Sequence, residues 1–310
     1  MKIVIMGTGG LGGYYGALLA RSGHEVHFVA RGHHLQAICE KGLQVRSVHG
    51  GFLVRPARAT DNPAGVGEAD LVLFTTKAYQ TEEAVELVKP VLGPETVIVP
   101  LQNGVDAADR IGSLLGMERL LGGMTWISAA VEAPGVIGQY SSFRRIVIGE
   151  LDGRSTRRIE RVRDVLAGTG VNVEVSRNIS EVLWTKFAFI SSVSAMGCLT
   201  RVSLRDYRTI EESYEVLKEV IGEIVAVAKA KGVGVGLAPD ILQNTLATIG
   251  ASDGKIKPSM QRDAEAGRVS ELESMIGIVV RLGREMGVPT PVMRFAYAVL
   301  KPGQLLAGKR

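Results

Sequence analysis

Lys186 is well suited to proton transfer, because it stands in an otherwise largely apolar segment, Leu183-Trp184-Thr185-Lys186-Phe187. An ammonium withdrawn from water has a lowered pKa and can protonate a developing alkoxide near neutral pH. The ordinary structural alternative is a lysine whose ammonium reaches out to solvent while its stem covers apolar surface. The sequence therefore makes Lys186 a candidate general acid.

Two further polar segments each follow a short apolar run. They are Thr76-Lys77-Ala78-Tyr79-Gln80 and Gln102-Asn103-Gly104. Open parallel sheets bind their ligands at the carboxyl ends of the strands. We therefore expect these two segments to line a ligand site.

The N-terminus holds a glycine motif of the form G-x-G-x-x-G, between an apolar run and a helical pattern. In dinucleotide-binding proteins the first glycine allows a tight turn, the second admits the pyrophosphate and the third lets the helix pack on the strand. A glycine-rich turn without a ligand is the structural alternative. The motif predicts a dinucleotide held by Gly7, Thr8, Gly9, Gly10, Leu11 and Gly12.

The end of the next predicted strand, Val29-Ala30-Arg31-Gly32, indicates which dinucleotide binds. Proteins that bind NAD usually place an acid there for the ribose hydroxyls, whereas this segment has none. Arg31 has a forked guanidinium that suits a 2′-phosphate. The segment favours NADP(H) over NAD, with an ordinary surface arginine as the alternative.

Alternation of apolar β-branched runs with helical patterns predicts an α/β domain with a doubly wound parallel sheet of Rossmann type. The strand candidates are Lys2–Met6, Glu25–Ala30, Leu71–Thr75, Val97–Pro100 and Ile146–Gly149, and the helix candidates are Leu11–Arg21, Thr81–Val91 and Ser155–Ala167.

Beyond about Ser180 the patterns become helical with little strand signal, which predicts an all-helical C-terminal domain. We place an NADP-binding Rossmann domain at 1–177 and a helical substrate and dimerisation domain at 178–310. Its apolar helices fit a homodimer, although one intramolecular core explains the same pattern. The predicted helices are Glu181–Met196, Ile210–Ala230, Pro239–Ile249, Arg268–Met286 and Pro291–Leu300.

Composition excludes several classes of protein. Of 310 residues, 46% are hydrophobic and 22% charged, which is ordinary globular usage and argues against disorder. The net charge of +4 is scattered, so nucleic acid is not an expected partner. Glycines interrupt the apolar N-terminus, and we expect no membrane span. Cys39 and Cys198 are far apart and lack metal-ligand spacing, so we expect no metal site and a cytoplasmic protein.

Taken together, these motifs resemble those of the ketopantoate reductase (2-dehydropantoate 2-reductase) family, over nearly the whole chain. The matching pieces are the glycine motif with Arg31, Thr76–Gln80, Gln102–Gly104, Pro134–Ile137, the L-W-x-K segment that ends at Lys186, and Ser259-Met260 through Asp263 to Glu271.

The resemblance implies a Rossmann domain and a helical domain that use NADPH to reduce ketopantoate to pantoate, a step towards pantothenate. It implies that Lys186 is the general acid and that Glu271 binds a substrate hydroxyl. Asn103 and Ser259 would orient the substrate, and Lys77, Gln80 and Asn103 would line the cofactor. For Glu271 the alternative is a solvated helix face, and for Ser259 a helix N-cap.

Three positions depart from the family pattern, because Ile190, Ser194 and Ile276 stand where the family usually has asparagine. A lost hydrogen bond to a buried substrate hydroxyl costs about 1 to 3 kcal/mol. The departures leave the expectation of NADPH unchanged and point to a less polar substrate pocket. A bulkier or more apolar 2-oxo acid is therefore an alternative to ketopantoate.

The leading hypothesis is NADPH-dependent reduction of a 2-oxo acid, with ketopantoate the first candidate. The second is a related NADP-dependent hydroxy-acid dehydrogenase with a more apolar substrate. The third is a non-catalytic NADPH-binding regulatory protein, against which the retained Lys186, Asn103, Ser259 and Glu271 argue.

Overall fold

The computed structural model describes residues 1–233, 241–252, 254–255 and 257–309, and the chain divides into two compact units. The first unit consists of Met1–Gln102 and Asp106–Ile179, and the second of Asn103–Val105 and Ser180–Arg310. A short piece after residue 102 thus belongs to the second unit although its neighbours along the chain belong to the first.

The first unit is built on a five-stranded parallel sheet of order β5-β2-β1-β6-β7 with helices around it, which confirms the predicted Rossmann-type α/β fold. Its central strand β1 is apolar and fully buried at Ile3, Val4 and Ile5, as expected for a strand covered on both faces. The strands are β1 (Lys2–Met6), β2 (Glu25–Val29), β5 (Arg58–Thr60), β6 (Ala69–Phe74) and β7 (Leu92–Pro100).

The register of this sheet sets the place of the ligand segments. Met6 at the end of β1 pairs with Val29 of β2 and with Phe74 of β6. The glycine motif, the segment with Arg31 and the Thr76–Gln80 segment therefore begin at one edge of the sheet. The helices of this unit are α1 (Gly10–Arg21), α2 (Gly32–Lys41), α3 (Thr81–Val88), α4 (Ala107–Leu115) and α5 (Arg157–Ala167).

Two smaller sheets of the first unit were not predicted, because several of their strands have only three to five residues and mix polar and apolar side chains. One has the order β4-β3-β10-β9 and the other β12-β11-β8. The segment around Ile146 is a strand as predicted, but it pairs in the second small sheet, antiparallel to β8. The strands are β3 (Leu43–Ser47), β4 (Phe52–Val54), β8 (Leu121–Trp126), β9 (Ala129–Ala133), β10 (Val136–Gln139), β11 (Arg145–Glu150) and β12 (Asn172–Val175).

The described part of the second unit is helical, which confirms the prediction for the C-terminal half. A core of side chains such as Trp184, Phe187 and Ile276 holds the helices together. The helices are α6 (Ile179–Thr200), α7 (Leu204–Tyr207), α8 (Glu211–Ala230), α9 (Ile241–Ala251), α10 (Ser259–Glu265), α11 (Ile278–Met286) and α12 (Pro291–Ala307).

Helix α6 bears on the expectation of no membrane span. Its 22 residues are long and apolar enough to cross a bilayer by length and composition alone. However, 67% of its most apolar stretch of 18 residues is buried inside the protein, as in the core helix of a folded domain.

Other predicted helices needed adjustment. The helix predicted from Arg268 begins later, since a single π-helical turn at Glu273–Gly277 precedes α11. The last helix continues beyond Leu300 to Ala307, across Pro302. Of the helix predicted at Pro239–Ile249, the first two residues lie outside the described residues, and α9 begins at Ile241.

Candidate functional site

The glycine loop is held against the protein on one side and open on the other. Gly7 has a φ of 103°, which permits the turn after β1. A Cβ added to Gly12 would lie 2.2 Å from the carbonyl oxygen of Gly7, so helix and strand pack too closely for any side chain there. A Cβ added to Gly9 would meet no atom of the described residues within 4 Å.

Thr8 fixes this loop to the end of β2. Its backbone N–H and its hydroxyl both donate to the carbonyl of Val29, at 2.9 Å each. In α1, Gly9 is the N-cap without a side-chain cap, and the first turn contains no acid. The N-terminal N–H groups of α1 thus keep the partial positive charge that suits a phosphate. The open side at Gly9 and these N–H groups suit the pyrophosphate of a dinucleotide.

Arg31 lies two residues beyond β2, directly before α2. Its guanidinium donates to the carboxylate of Glu83 in α3 at 2.5 Å. The side chains of the pair are 53% and 56% exposed. Arg31 therefore lies at the carboxyl ends of the strands with its guanidinium paired to Glu83. Sequence reasoning missed this partner, because Glu83 looks like any acid in the first turn of a helix.

The segment after β6 is tied to the end of β7 by Gln102. The side-chain amide of Gln102 donates to the carbonyl of Thr76 at 2.9 Å and to the hydroxyl of Thr81 at 3.1 Å. Lys77 and Gln80 are half-buried around a single 3-10 turn, in the first unit like Arg31. Gln102 thus sets the shape of the segment that carries both candidate cofactor residues.

Lys186 and Asn103 meet within the second unit, although 83 positions separate them along the chain. The ammonium of Lys186 donates to the side-chain oxygen of Asn103 at 3.0 Å. This hydrogen bond orients the ammonium at the end of its flexible stem. Proton delivery requires such a fixed direction, because the donor must lie within hydrogen-bond reach of the oxygen that it protonates.

The surroundings of Lys186 also adjust its acidity. Burial lowers the pKa of Lys186 from 10.5 to about 8, and the negative charge of Glu271 acts in the opposite direction. The side chain of Glu271 is itself buried, with 4% of its surface exposed, so it is not on a solvated helix face. The second unit therefore brings together a lysine that titrates near neutral pH, an amide and a carboxylate.

Ser259 is the first residue of α10 and is half-buried, while Pro258 takes the N-cap position. The alternative role of Ser259 as an N-cap is therefore wrong, since Ser259 is already the first helical residue.

Two of the three departures from asparagine differ in their settings. Ile190 follows Lys186 by one helical turn and lies half-buried beside the core of the second unit. Ile276 is completely buried inside the π-helical turn and belongs to that core, so it packs as a structural residue. Of these two isoleucines, Ile190 is therefore the one that bears on how polar a substrate the site accepts.

Ser194, the third departure, follows Ile190 by one more turn of α6. It is 1% exposed, and its hydroxyl has no hydrogen-bond partner among the described residues. Buried hydroxyls usually have a hydrogen-bond partner, so Ser194 is an exception among the buried polar side chains. Lys186, Ile190 and Ser194 share one face of the helix, because each is four residues from the next.

Sequence reasoning missed the π-helical turn that begins two residues after Glu271. Such turns are uncommon and frequently occur at functional sites. No residue pattern signals one in a single sequence. Among the described residues, no group of three His, Cys, Asp or Glu side chains is placed to hold a metal ion.

Two family models match this chain and together cover most of it. The model described as ketopantoate reductase PanE/ApbA matches residues 3–153. The model of the C-terminal part of the same family matches residues 178–304.

Similar proteins extend over the full chain. An uncharacterized oxidoreductase, YkpB, of Bacillus subtilis (strain 168) is 29% identical, over 97% of this chain and 98% of its own length. A 2-dehydropantoate 2-reductase of Mesorhizobium japonicum is 29% identical, over 97% of both chains. The crystal structure of a PanE/ApbA family ketopantoate reductase from Ralstonia eutropha JMP134 is 31% identical, with a TM-score of 0.90 over 99% of this chain and 100% of that chain.

Proposed function

Since the chain belongs to the ketopantoate reductase PanE/ApbA family, we propose that it reduces ketopantoate to pantoate with Lys186 as the general acid. Membership makes the protein an NADP-dependent oxidoreductase with NADPH as its cofactor. Pantoate formation would place the reaction on the route to pantothenate.

The glycine loop and its neighbours would hold the cofactor. The N–H groups at the start of α1, beside the open position at Gly9, would bind the pyrophosphate. Arg31 would pair with the 2′-phosphate in place of Glu83. Lys77 and Gln80 would line the remainder, on the segment that Gln102 fixes. Bound NADPH supplies a hydride to the carbonyl carbon of the substrate.

Reduction turns the carbonyl oxygen into an alkoxide that needs a proton. The Lys186 ammonium would donate it, and before transfer its positive charge would stabilise the developing negative charge. The hydrogen bond to Asn103 keeps the ammonium in one direction. With a pKa of about 8, Lys186 is largely protonated at neutral pH and still a much stronger acid than an ordinary lysine.

Glu271 and Ser259 would orient the rest of the substrate. A carboxylate accepts hydrogen bonds, so Glu271 would accept one from the hydroxyl of ketopantoate. Ser259 would contact the substrate through its hydroxyl at the start of α10.

The hydrogen bond of 3.0 Å between Lys186 and Asn103, in surroundings that lower the lysine pKa, carries this proposal. A surface lysine that merely extends to solvent would have neither feature. A regulatory NADPH-binding protein would have no use for such a proton donor.

The proposal is tested by following NADPH absorbance with purified protein and ketopantoate. Trimethylpyruvate, which is ketopantoate without its hydroxyl, is assayed in parallel. We expect turnover of ketopantoate with the higher kcat/KM, because only ketopantoate can donate a hydrogen bond to Glu271. Absence of turnover with either substrate, with NADPH still bound, would exclude ketopantoate as the substrate and would favour the regulatory alternative or a substrate outside this class.

A second candidate is a hydroxy-acid dehydrogenase with a more apolar substrate, and Ile190 is the observation that favours it. Preference for trimethylpyruvate over ketopantoate would support this candidate. In that case Ile190→Asn should shift the preference towards ketopantoate, because an amide would then stand one helical turn from Lys186.

A further inference from the structure

The last helix of the chain, α12, holds both sides of the segment that carries Glu271. One contact is at Ser270, directly before Glu271, and another is at Glu273, two residues after it. Glu271 is buried and is thus held by its flanks as well as by its own contacts.

Gln304 makes the contact before Glu271. Its side-chain oxygen accepts from the backbone N–H of Ser270 at 3.0 Å and from the Ser270 hydroxyl at 2.9 Å. Its side-chain amide donates to the backbone carbonyl of Ser270 at 2.9 Å. A single glutamine thereby satisfies the N–H, the C=O and the side chain of one residue. Such a set of hydrogen bonds fixes the position of the backbone and its orientation.

The contact after Glu271 comes from the same helix. The hydroxyl of Tyr297 donates to the carboxylate of Glu273 at 2.9 Å, and the ammonium of Lys301 forms an ion pair with it. Glu273 opens the π-helical turn, so α12 also fixes the start of that turn.

The backbone of Glu271 is also held by residues of the π-helical turn that follows it. Its carbonyl accepts from the N–H of Met275 at 3.0 Å and from the hydroxyl of Ser274 at 3.2 Å. The carbonyl of Met275 in turn accepts from Ser191 of α6 at 2.6 Å. Glu271 thus lies between a turn tied to α6, the helix of Lys186, and a preceding residue tied to α12.

We propose that Gln304 is a positioning residue that sets the placement of the Glu271 carboxylate and thereby the recognition of the substrate hydroxyl. The inference rests on the proposed function, in which Glu271 accepts that hydroxyl. Without Gln304 the polar groups of Ser270 lose their partners, and the entry to the turn is free to shift. A displacement of about 1 Å at a binding group is enough to cost activity.

The test compares Gln304→Met with Glu271→Gln and with the double variant. Methionine keeps the length of the side chain and removes its donor and acceptor. Leu305→Ala is the matched control. Leu305 lies in the same last turn of α12, and it is 56% exposed, so its shortening should disturb little. For each protein, kcat and KM are measured with ketopantoate and with trimethylpyruvate, together with the Kd for NADPH.

We expect Gln304→Met to raise the KM for ketopantoate about 10-fold, while the KM for trimethylpyruvate and the Kd for NADPH stay within about 2-fold. Glu271→Gln should show the same selectivity. The double variant should be no worse than Glu271→Gln alone, because both changes act through one carboxylate. Ser270→Ala removes one of the three hydrogen bonds and should give a smaller effect in the same direction. It replaces Gln304→Met should that variant not fold.

Three results would overturn the proposal. Equal losses with both substrates would show general damage to the second unit. Multiplying effects in the double variant would show that Gln304 acts independently of Glu271. If Glu271→Gln discriminates between the two substrates and Gln304→Met does not, Gln304 is not a positioning residue, and only the role of Glu271 stands. An unchanged KM for ketopantoate in Glu271→Gln marks a different failure, since it removes the role of Glu271 and with it that of Gln304.

Discussion

The glycine loop and the cluster around Lys186 are built in opposite ways. The loop is one run of six residues, Gly7–Gly12, and it would bind its ligand largely through backbone N–H groups at the start of a helix. The cluster consists of side chains from positions 103, 186 and 271 that only the folded second unit brings together. A loop of this kind depends on the absence of side chains, whereas the cluster depends on their placement and charge.

The strongest test of this contrast is removal of the side chain at Lys186. Lys186→Ala should lower kcat by about 10² to 10⁴, the range typical for loss of a general acid. Binding of NADPH, measured by quenching of protein fluorescence, should stay near normal. Thr185→Ala, on the exposed side of the same helix, is the control. A Lys186→Ala enzyme with full kcat would remove the lysine as the proton donor.

In the loop, replacement of glycine by alanine should affect stability at one position and cofactor binding at another. Gly12→Ala places a methyl group against the Gly7 carbonyl and should destabilise the fold by about 1 to 3 kcal/mol. Gly9→Ala meets open space, so stability should be unchanged while the KM for NADPH rises about 10-fold. Thermal unfolding and initial rates separate the two. A destabilised Gly9→Ala protein would contradict an open side to the loop.

The cluster should reveal its charges in the dependence of rate on pH. Reduction needs protonated Lys186, whose pKa is about 8, so kcat/KM should be constant below that pH and fall about tenfold per pH unit above it. Because the charge of Glu271 raises the lysine pKa, Glu271→Gln should move the fall to lower pH. Rates from about pH 6 to about pH 10 measure both. A fall that moves to higher pH would mean that Glu271 does not act on Lys186 in this way.

The smallest effect is expected at Arg31. Arg31→Ala should raise the KM for NADPH several-fold more than that for NADH. Glu83→Gln should lower the KM for NADPH by a factor of about 2 to 5, since an exposed ion pair contributes at most about 1 kcal/mol. Steady-state kinetics with both cofactors test the pair. Equal changes for NADPH and NADH would exclude contact with the 2′-phosphate.

The same contrast explains what could be predicted from the sequence. The loop could be predicted because its signal is local: a glycine motif with a strand before it and a helix after it. The main sheet followed from apolar runs such as Lys2–Met6, which need burial on both faces. The resemblance to one family named Lys186, Asn103 and Glu271 as a set, and the structure places all three in one unit.

What could not be predicted depends on partners distant in sequence. Gln304 looks like an ordinary polar residue of a helix, and only the fold places it on Ser270. Some strands of the small sheets, such as Phe52–Val54, are too short for a periodic pattern. Ile276 was expected to make the substrate pocket less polar, whereas its burial in the core gives it a structural role.

The lowered pKa of Lys186 has a consequence for covalent chemistry. At pH 7.5 roughly a quarter of a lysine with a pKa of about 8 is neutral, against roughly one part in a thousand for an ordinary lysine. The neutral amine is the nucleophile that attacks aldehydes and activated esters. A reagent that reaches the Lys186 amine should therefore react with it faster than with an ordinary lysine, which makes Lys186 a handle for an irreversible inhibitor or a probe.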